Sequence, residues 1–572
     1  MTNTKKISEL EELTDPAGTD TFAAIDVSEA DVDDQNKEIS FDGFLGGMPK
    51  CHATKIVAAS DTTNAESRSD YQCDGTDDDV EIQAAIDALP ASGGRVVLLE
   101  GAFALGDTVI INGVDNFYLG GMGDATLLRL ADGLSVSSAI HIVTADNILL
   151  ENFKIDSNGL NQFAGSARNI LLDQVQKVII SQVTLINAKT HALEILSGGG
   201  VPCQDVIITG CTINEFDTDD LSNDGISIGD EQFNVTIRSC IISHTGLGAA
   251  ARSGIEIEDG AHDIAITGCI IHGMQNGVNM HVHGAEPAVY GVTVQSCTIY
   301  DAVCGIRLNG DVAAHIYGVT LSDNVCHDNA NGIQIIRARC TMIGNVIFSN
   351  TGYGVTIYQG NYCTVSSAWV WDNSESGIAL NQSDYAVVTD SVIFENTMRG
   401  IELQGAVTGC NRCIISNNQI IDNDEGDANS FPGIYVSEAS HNNTIQGNNF
   451  YVTGAGTRQT YGVSVIVGAT GNVIIDNQMT QGGRTGPLLD AGTGTVIRGN
   501  IGYVTENGGT SGAIATGATI AHGCALTPTI VQVNAAEAGP TDITISVDAA
   551  NITVNFGGGG NKTFFWYARY CP

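Results

Sequence analysis

A Gly-apolar-x-apolar unit recurs along this chain: GISI from Gly225, GIEI from Gly254, GVNM from Gly277, GIRL from Gly305, GIQI from Gly332, GVTI from Gly354, GIAL from Gly377, GIEL from Gly400, GIYV from Gly433 and GVSV from Gly462. Successive intervals are 29, 23, 28, 27, 22, 23, 23, 33 and 29 residues. Between the units lie two further short alternating segments and their turns, as in CTMIGNVIFSN and CIISNNQIIDN. One such repeat cannot bury an apolar face alone, so neighbouring repeats must stack around a shared interior. The expected fold is all-β: a single-stranded parallel β-helix with three strands per coil.

Aligning the repeats places Phe153, Val183, Cys211, Cys240, Cys269, Cys297, Asn324, Asn345, Ala368, Ser391, Asn418, Asn448, Asn477 and Asn500 at one turn position. Stacked Asn tolerates the left-handed backbone of a tight turn and hydrogen-bonds along the stack. At a coil spacing of about 4.8 Å the column implies a shaft on the order of 65 Å. Cys340, Cys363 and Cys413 form a second column, so the cysteines read as buried thiols. Cys410-x-x-Cys413 lacks the second CxxC of a zinc site.

The balance of 24 Lys plus Arg against 65 Asp plus Glu, a formal charge of −41, repels phosphates and anionic lipid. Neither nucleic-acid binding nor membrane insertion is expected. MTNTKKISELEEL is followed by no apolar run, so export by an ordinary signal peptide is not expected.

From Cys73 the chain reads CDGTDDDVEIQAAIDALPASGGRVVLLEGAFALGDTVII, an amphipathic helix near residues 79–89 followed by a Gly-Gly turn and strands. This resembles the opening of the pectate-lyase-like right-handed β-helix superfamily, in which such a helix caps the first coil. The superfamily includes lyases, hydrolases, epimerases and inactive binding spikes, so the likeness specifies fold more than activity. Residues 1–48, with KISEL, GTDTFAAIDVS and NKEISFDGFL, resemble the adaptor of phage tail fibres and tailspikes. After the shaft, taken as 49–505, residues 511–572 hold the alternating DITISVDAANITVNF and the aromatic TFFWYARY. An exposed strand of that kind invites self-association, so it is expected to be buried against other copies. Adaptor, shaft and C-terminal β cap together resemble a trimeric spike. The resemblance implies a homotrimer on a phage tail or baseplate, made in the host cytoplasm and carried on the virion, with a bacterial surface polysaccharide as its partner. It binds and depolymerises that glycan, or binds it as a non-catalytic fibre. A structural β-helix with no glycan ligand is the third reading.

In each GIxI unit the two apolar residues point inward and x points outward. The outward column is Ser227, Glu256, Asn279, Arg307, Gln334, Thr356, Ala379, Glu402, Tyr435 and Ser464. Glu256, Glu258, His281 and Arg307 are the candidate catalytic residues, because paired carboxylates serve glycoside hydrolysis and a histidine base serves elimination. Asp259, Asn279, His283, Asn309 and Asp311 flank them as candidate substrate ligands. Asp217 and Asp220, on the acidic turn before Gly225, are expected to overhang the same groove. Its carboxylates suit Ca²⁺, but the turn lacks the EF-hand spacing, so no cofactor and no metal ligand is assigned. The competing reading of the whole patch is a solvated strand face with incidental ion pairs. A stripe of Tyr300, His327, Phe348, Trp371, Phe394, Ile421 and Tyr451 either faces out, as sugar platform or subunit contact, or lines a corner of the core. Strand alternation favours outward.

Overall fold

The computed structural model describes residues 53–570, except 164, 218–222, 230, 245–252, 312–314, 406, 427–429 and 454–457, and the backbone of an antiparallel pair, Thr21–Ile25 with Asn36–Ser40. The rest of the 1–48 module, and Asp220, lie outside the described residues.

From residue 53 the chain winds into parallel ladders joined coil to coil. Gln176–Ser181 pairs with Gln204–Thr209, Thr184–Ile186 with Thr212–Asn214, and Leu193–Leu196 with Ile226–Ile228, so each strand meets its counterpart one coil on. The ladder carrying the GIxI units is a 15-stranded sheet running from Val109–Asn112 to Gly486–Asp490. Its apolar positions, such as Ile255, Ile257, Val278 and Met280, are fully buried in one continuous core. The helix Asp79–Asp87 closes the first coil by burying Ile82, Ala85 and Ile86. Asp78 anchors it, accepting the Gly75 and Ala104 backbone N–H groups at 2.8 and 2.7 Å.

The recurring glycine of each unit has a packing cause. A Cβ on Gly354 would lie 2.6 Å from the Gly377 carbonyl oxygen and 2.7 Å from a Val370 methyl. The same clash repeats at Gly305 and Gly332, so the corner closes only without a side chain.

The asparagine column is inside, and its role differs from the sequence expectation. Asn324, Asn345, Asn418, Asn448 and Asn477 are fully buried, each Nδ2 donating to the next side chain where the next is Asn, as in Asn448 to Asn477 at 3.0 Å. The left-handed residue is the one before: Asp323, Gly344, Asn417, Gly447 and Asp476 have φ between 55 and 66°. The turn twists at the short polar or glycine residue, which frees the asparagine to point inward. A second ladder, Asn329–Asn350–Asn373–Asn396–Asn423, runs parallel to the first with side-chain bonds of 2.8 to 2.9 Å along Asn350, Asn373, Asn396 and Asn423. Every described cysteine is free and buried. Cys410 and Cys413 each donate to a backbone carbonyl, of Leu380 and Ser383, at 3.2 Å.

The aromatic stripe faces outward. Its rings stack from His272 through Tyr300, His327, Phe348 and Trp371 to Phe394, with centroids 4.5 to 5.5 Å apart and planes within 11° of parallel. Beyond the shaft lie two antiparallel three-stranded sheets, one joining Glu506–Thr510, Phe564–Arg569 and Ile530–Ala535, the other Ala518–Ala521, Asn551–Gly557 and Thr541–Val547. The first of these strands already precedes residue 511. A separate core of Ile520, Ile552, Val554, Phe556 and Phe564 holds them together.

Candidate active site

In-register pairing makes one polar column on the outer face of the GIxI sheet: Ser227, Glu256, Asn279, Arg307, Gln334, Thr356, Ala379, Glu402, Tyr435 and Ser464. A second column beside it holds Glu258, His281, Asn309, Ile336, Tyr358, Asn381 and Gln404. The alternation therefore brings the expected residues to one face.

It does not leave them all in solvent. Glu256 is 0% exposed and Asn279 2%. Both oxygens of Glu256 accept from Asn279 Nδ2, at 2.8 and 2.9 Å, and Oε2 also accepts from the Ser253 hydroxyl. An outward side chain on a parallel stack is flanked by its counterparts one coil away, and a Glu bonded to an Asn seals both from water. Asp217, expected on a solvated overhang, is likewise buried and accepts the Asn223 side-chain amide at 2.8 Å. Its neighbour Asp224 is buried too, 3.5 Å from His191 Nδ1. The ends of the acidic turn are thus tied to the shaft.

Glu258, His281, Asp259, His283 and Asp311 do gather. His283 Nδ1 lies 2.9 Å from Asp259 Oδ2, His283 Nε2 lies 4.0 Å from Glu258 Oε1, and His281 Nε2 lies 3.7 Å from Asp311 Oδ1. The Gly284 backbone N–H, and then the two histidines, hold Asp311 below the usual carboxylate range. Asn309 sits beside His281 in register. Arg307 is half-buried between Asn279 and Gln334, and no carboxylate among the described residues lies within 4.0 Å of its guanidinium.

Further along the same face is a cleft that the site reasoning above missed. A cavity of about 460 Å³ is lined by Tyr358, Asn381, Arg399, Gln404, Tyr435 and Ser437 among others. Another, of about 380 Å³, shares Tyr358, Asn381 and Gln404 and adds Gln334, Tyr353 and Glu402. Glu402 is 1% exposed, and Arg399 Nη1 donates to its Oε2 at 2.8 Å. Burial raises the Glu402 carboxyl above the ordinary glutamate range, although Arg399 and Ser376 pull it down. The Arg399 guanidinium also lies over two rings, 4.7 Å from Phe431 and 4.5 Å from Tyr435, which fixes it beside the cleft. Burial, then a hydrogen bond to Glu375 and the charge of Glu402, push the Tyr353 phenol up, so it remains a neutral donor. A carboxyl whose neutral form burial favours, in a cleft lined by amides and tyrosines, stands where a proton donor to a bound oxygen would stand. The sequence signal for it was present, since Glu402 belongs to the outward column, but nothing in the sequence shows that Arg399, Phe431 and Tyr435 close over it.

The pattern of the right-handed beta helix region matches residues 137–293 and 286–450, more than half of the 572 residues, and the chain belongs to that family. Among solved structures, the pre-mature gene product 12 of bacteriophage phi29 superposes with a TM-score of 0.52 at 17% identity, over 74% of this chain and 55% of that one. The N-terminal fragment of the same phage protein gives 0.52 at 16% identity, over 74% of this chain and 89% of the fragment. The tailspike of E. coli bacteriophage HK620, in complex with a hexasaccharide, gives 0.48 at 12% identity, over 86% and 89%. At such identities the likeness is one of fold. No curated protein sequence matches the chain. Among the described residues no helix is long and apolar enough to cross a membrane.

Proposed function

We propose that the outer face of the GIxI sheet binds a bacterial surface polysaccharide and that the Glu402 cleft hydrolyses it. The observation that carries this reading is the buried carboxyl of Glu402, shifted upward by desolvation, in a cleft lined also by amides, hydroxyls and aromatic rings. Glu402 acts as the general acid, donating its proton to the glycosidic oxygen. Glu375 is the second carboxylate, activating water or attacking the anomeric carbon, and Tyr353 donates to it. Arg307 lies four strand steps away along the column, about 19 Å at the spacing of coils. Its guanidinium suits a uronate or other acidic sugar several residues along an extended chain.

On this reading the chain is a tailspike: residues 1–48 attach it to a phage tail or baseplate, and the C-terminal sheets assemble three copies. The fold shared with a bacteriophage protein supports that setting, and the groove supports the glycan.

The test is incubation of the purified full chain with host capsular or exopolysaccharide, following new reducing ends together with the absorbance of unsaturated uronates. Reducing ends without unsaturation are expected, and Glu402→Gln should lower the rate by about two orders of magnitude or more. Binding with neither signal would favour a non-catalytic receptor-binding fibre. Unsaturated ends would replace hydrolysis by elimination.

A further inference from the structure

We infer that Glu258, His281 and His283 form a binding site for a divalent transition-metal ion of the zinc class. One ligand atom from each lies within 4.8 Å of the other two. The placement follows from the fold: Glu258 and His281 are directly paired in neighbouring strands, and His283 follows two residues on, so all three leave the sheet on the same side. Two imidazoles and one carboxylate are a donor set that zinc takes in sites with an open fourth position. Metal bonds of about 2.0 to 2.2 Å require donors roughly 3.5 Å apart, so a side-chain adjustment of about 1 Å closes the site.

The surroundings orient the ligands. Asp259 accepts the His283 backbone N–H at 2.8 Å and faces the ring Nδ1 at 2.9 Å. That contact places the ring proton on Nδ1 and leaves the Nε2 lone pair toward Glu258, the carboxylate–histidine–metal relation of many zinc sites. Asp311 adds negative charge on the other side, its Oδ1 3.7 Å from His281 Nε2. A basin of about 460 Å³, lined by Glu231, Asp259, His283 and Glu286 among others, opens beside the cluster and concentrates cations. The other metal-capable group among the described residues, Cys73, Asp78 and Glu81, differs in kind: both Asp78 oxygens are occupied by backbone N–H groups of the capping turn.

The site lies five to six strand steps from Glu402, about 24 to 29 Å at the spacing of coils, so it stands or falls independently of the proposed hydrolysis. The test uses the full chain, stripped with a chelator and titrated with Zn²⁺ alone by calorimetry, and the Co²⁺-loaded chain by visible absorption. One ion per chain is expected, with nitrogen and oxygen ligation in the cobalt spectrum. Asp259→Asn should weaken binding by about 10- to 100-fold and His283→Ala by more. The His283 side chain is 46% exposed, so its variant should fold, as an unchanged circular dichroism spectrum would show. Failure of the wild-type chain to take up zinc stoichiometrically, wild-type uptake by His283→Ala, or a thiolate charge-transfer band would each overturn the assignment.

Discussion

Two glutamates at equivalent positions of the same repeat, Glu256 and Glu402, differ in what their environment asks of them. Glu256 is sealed by Ser253 and the Asn279 amide, so it belongs to the structure as much as to the surface. Glu256→Ala should strand the Asn279 donor and lower stability by about 1 to 3 kcal/mol, read as a shift in the denaturant midpoint. An unchanged midpoint would show that water reaches the pair. Glu402 is instead held with its carboxyl raised by burial. The folded chain then binds that proton more tightly than the unfolded chain does. The associated stability is complete below the unfolded value and is lost as pH rises through the folded one. Glu402→Gln should therefore gain stability relative to wild type as pH rises from the ordinary glutamate range through the raised folded value. Parallel pH profiles for the two proteins would remove the basis for an acid at this position. Activity should decline over the same rise in pH, as the acid loses its proton.

At the scale of elements, the two asparagine ladders and the glycine column act as one corner. The Asn373 amide accepts the Asn350 N–H at 3.2 Å and donates to Asn396 at 2.8 Å, and a Cβ on Gly354 would lie 3.0 Å from its Nδ2. Asn373→Ala leaves buried donors and acceptors on both neighbouring coils, and a loss of about 2 kcal/mol or more is expected in chemical denaturation. A neutral effect would mean that the ladder is replaceable by packing. The aromatic stripe differs. Its ring faces from His272 to Phe394 already cover one another, so it presents edges to the outside. A sugar platform needs an open face, which leaves shaft rigidity or a subunit contact as its role.

For the molecule as a whole, the single chain leaves apolar side chains uncovered where the shaft ends: Ile501 is 61% exposed, Phe565 54% and Ile530 43%. Exposed apolar side chains of this kind suit burial against further copies. Light scattering of the full chain should give three times 59.7 kDa, and truncation after residue 505 should give monomers or aggregates. A full-length monomer would end the spike reading. Removing residues 1–48 should leave the β-sheet dichroism and any glycan cleavage intact, since the first described shaft strand, Ala53–Ala58, pairs within the helix itself. Collapse of that spectrum would make the module part of the fold.

The period of the GIxI units, the helix before the first coil and the inward cysteines were legible because stacking repeats one local pattern, and a local pattern is what a sequence displays. Even the second asparagine ladder was there to be read, five residues after the first column in the five repeats from Asn324 to Asn418. Alternation also told correctly which residues share the outer face. It could not tell which of them are wet. Glu256 is covered by a residue 23 positions later and Glu402 by a guanidinium clamped between rings that the next loop and coil deliver. Desolvation depends on what lies beside a side chain in neighbouring coils and loops, whose lengths vary from 22 to 33 residues without changing the repeat. That lateral packing, set only by the tertiary structure, is what separates the sealed Glu256, the desolvated Glu402 and the half-exposed Glu258 and histidines on one face of the sheet.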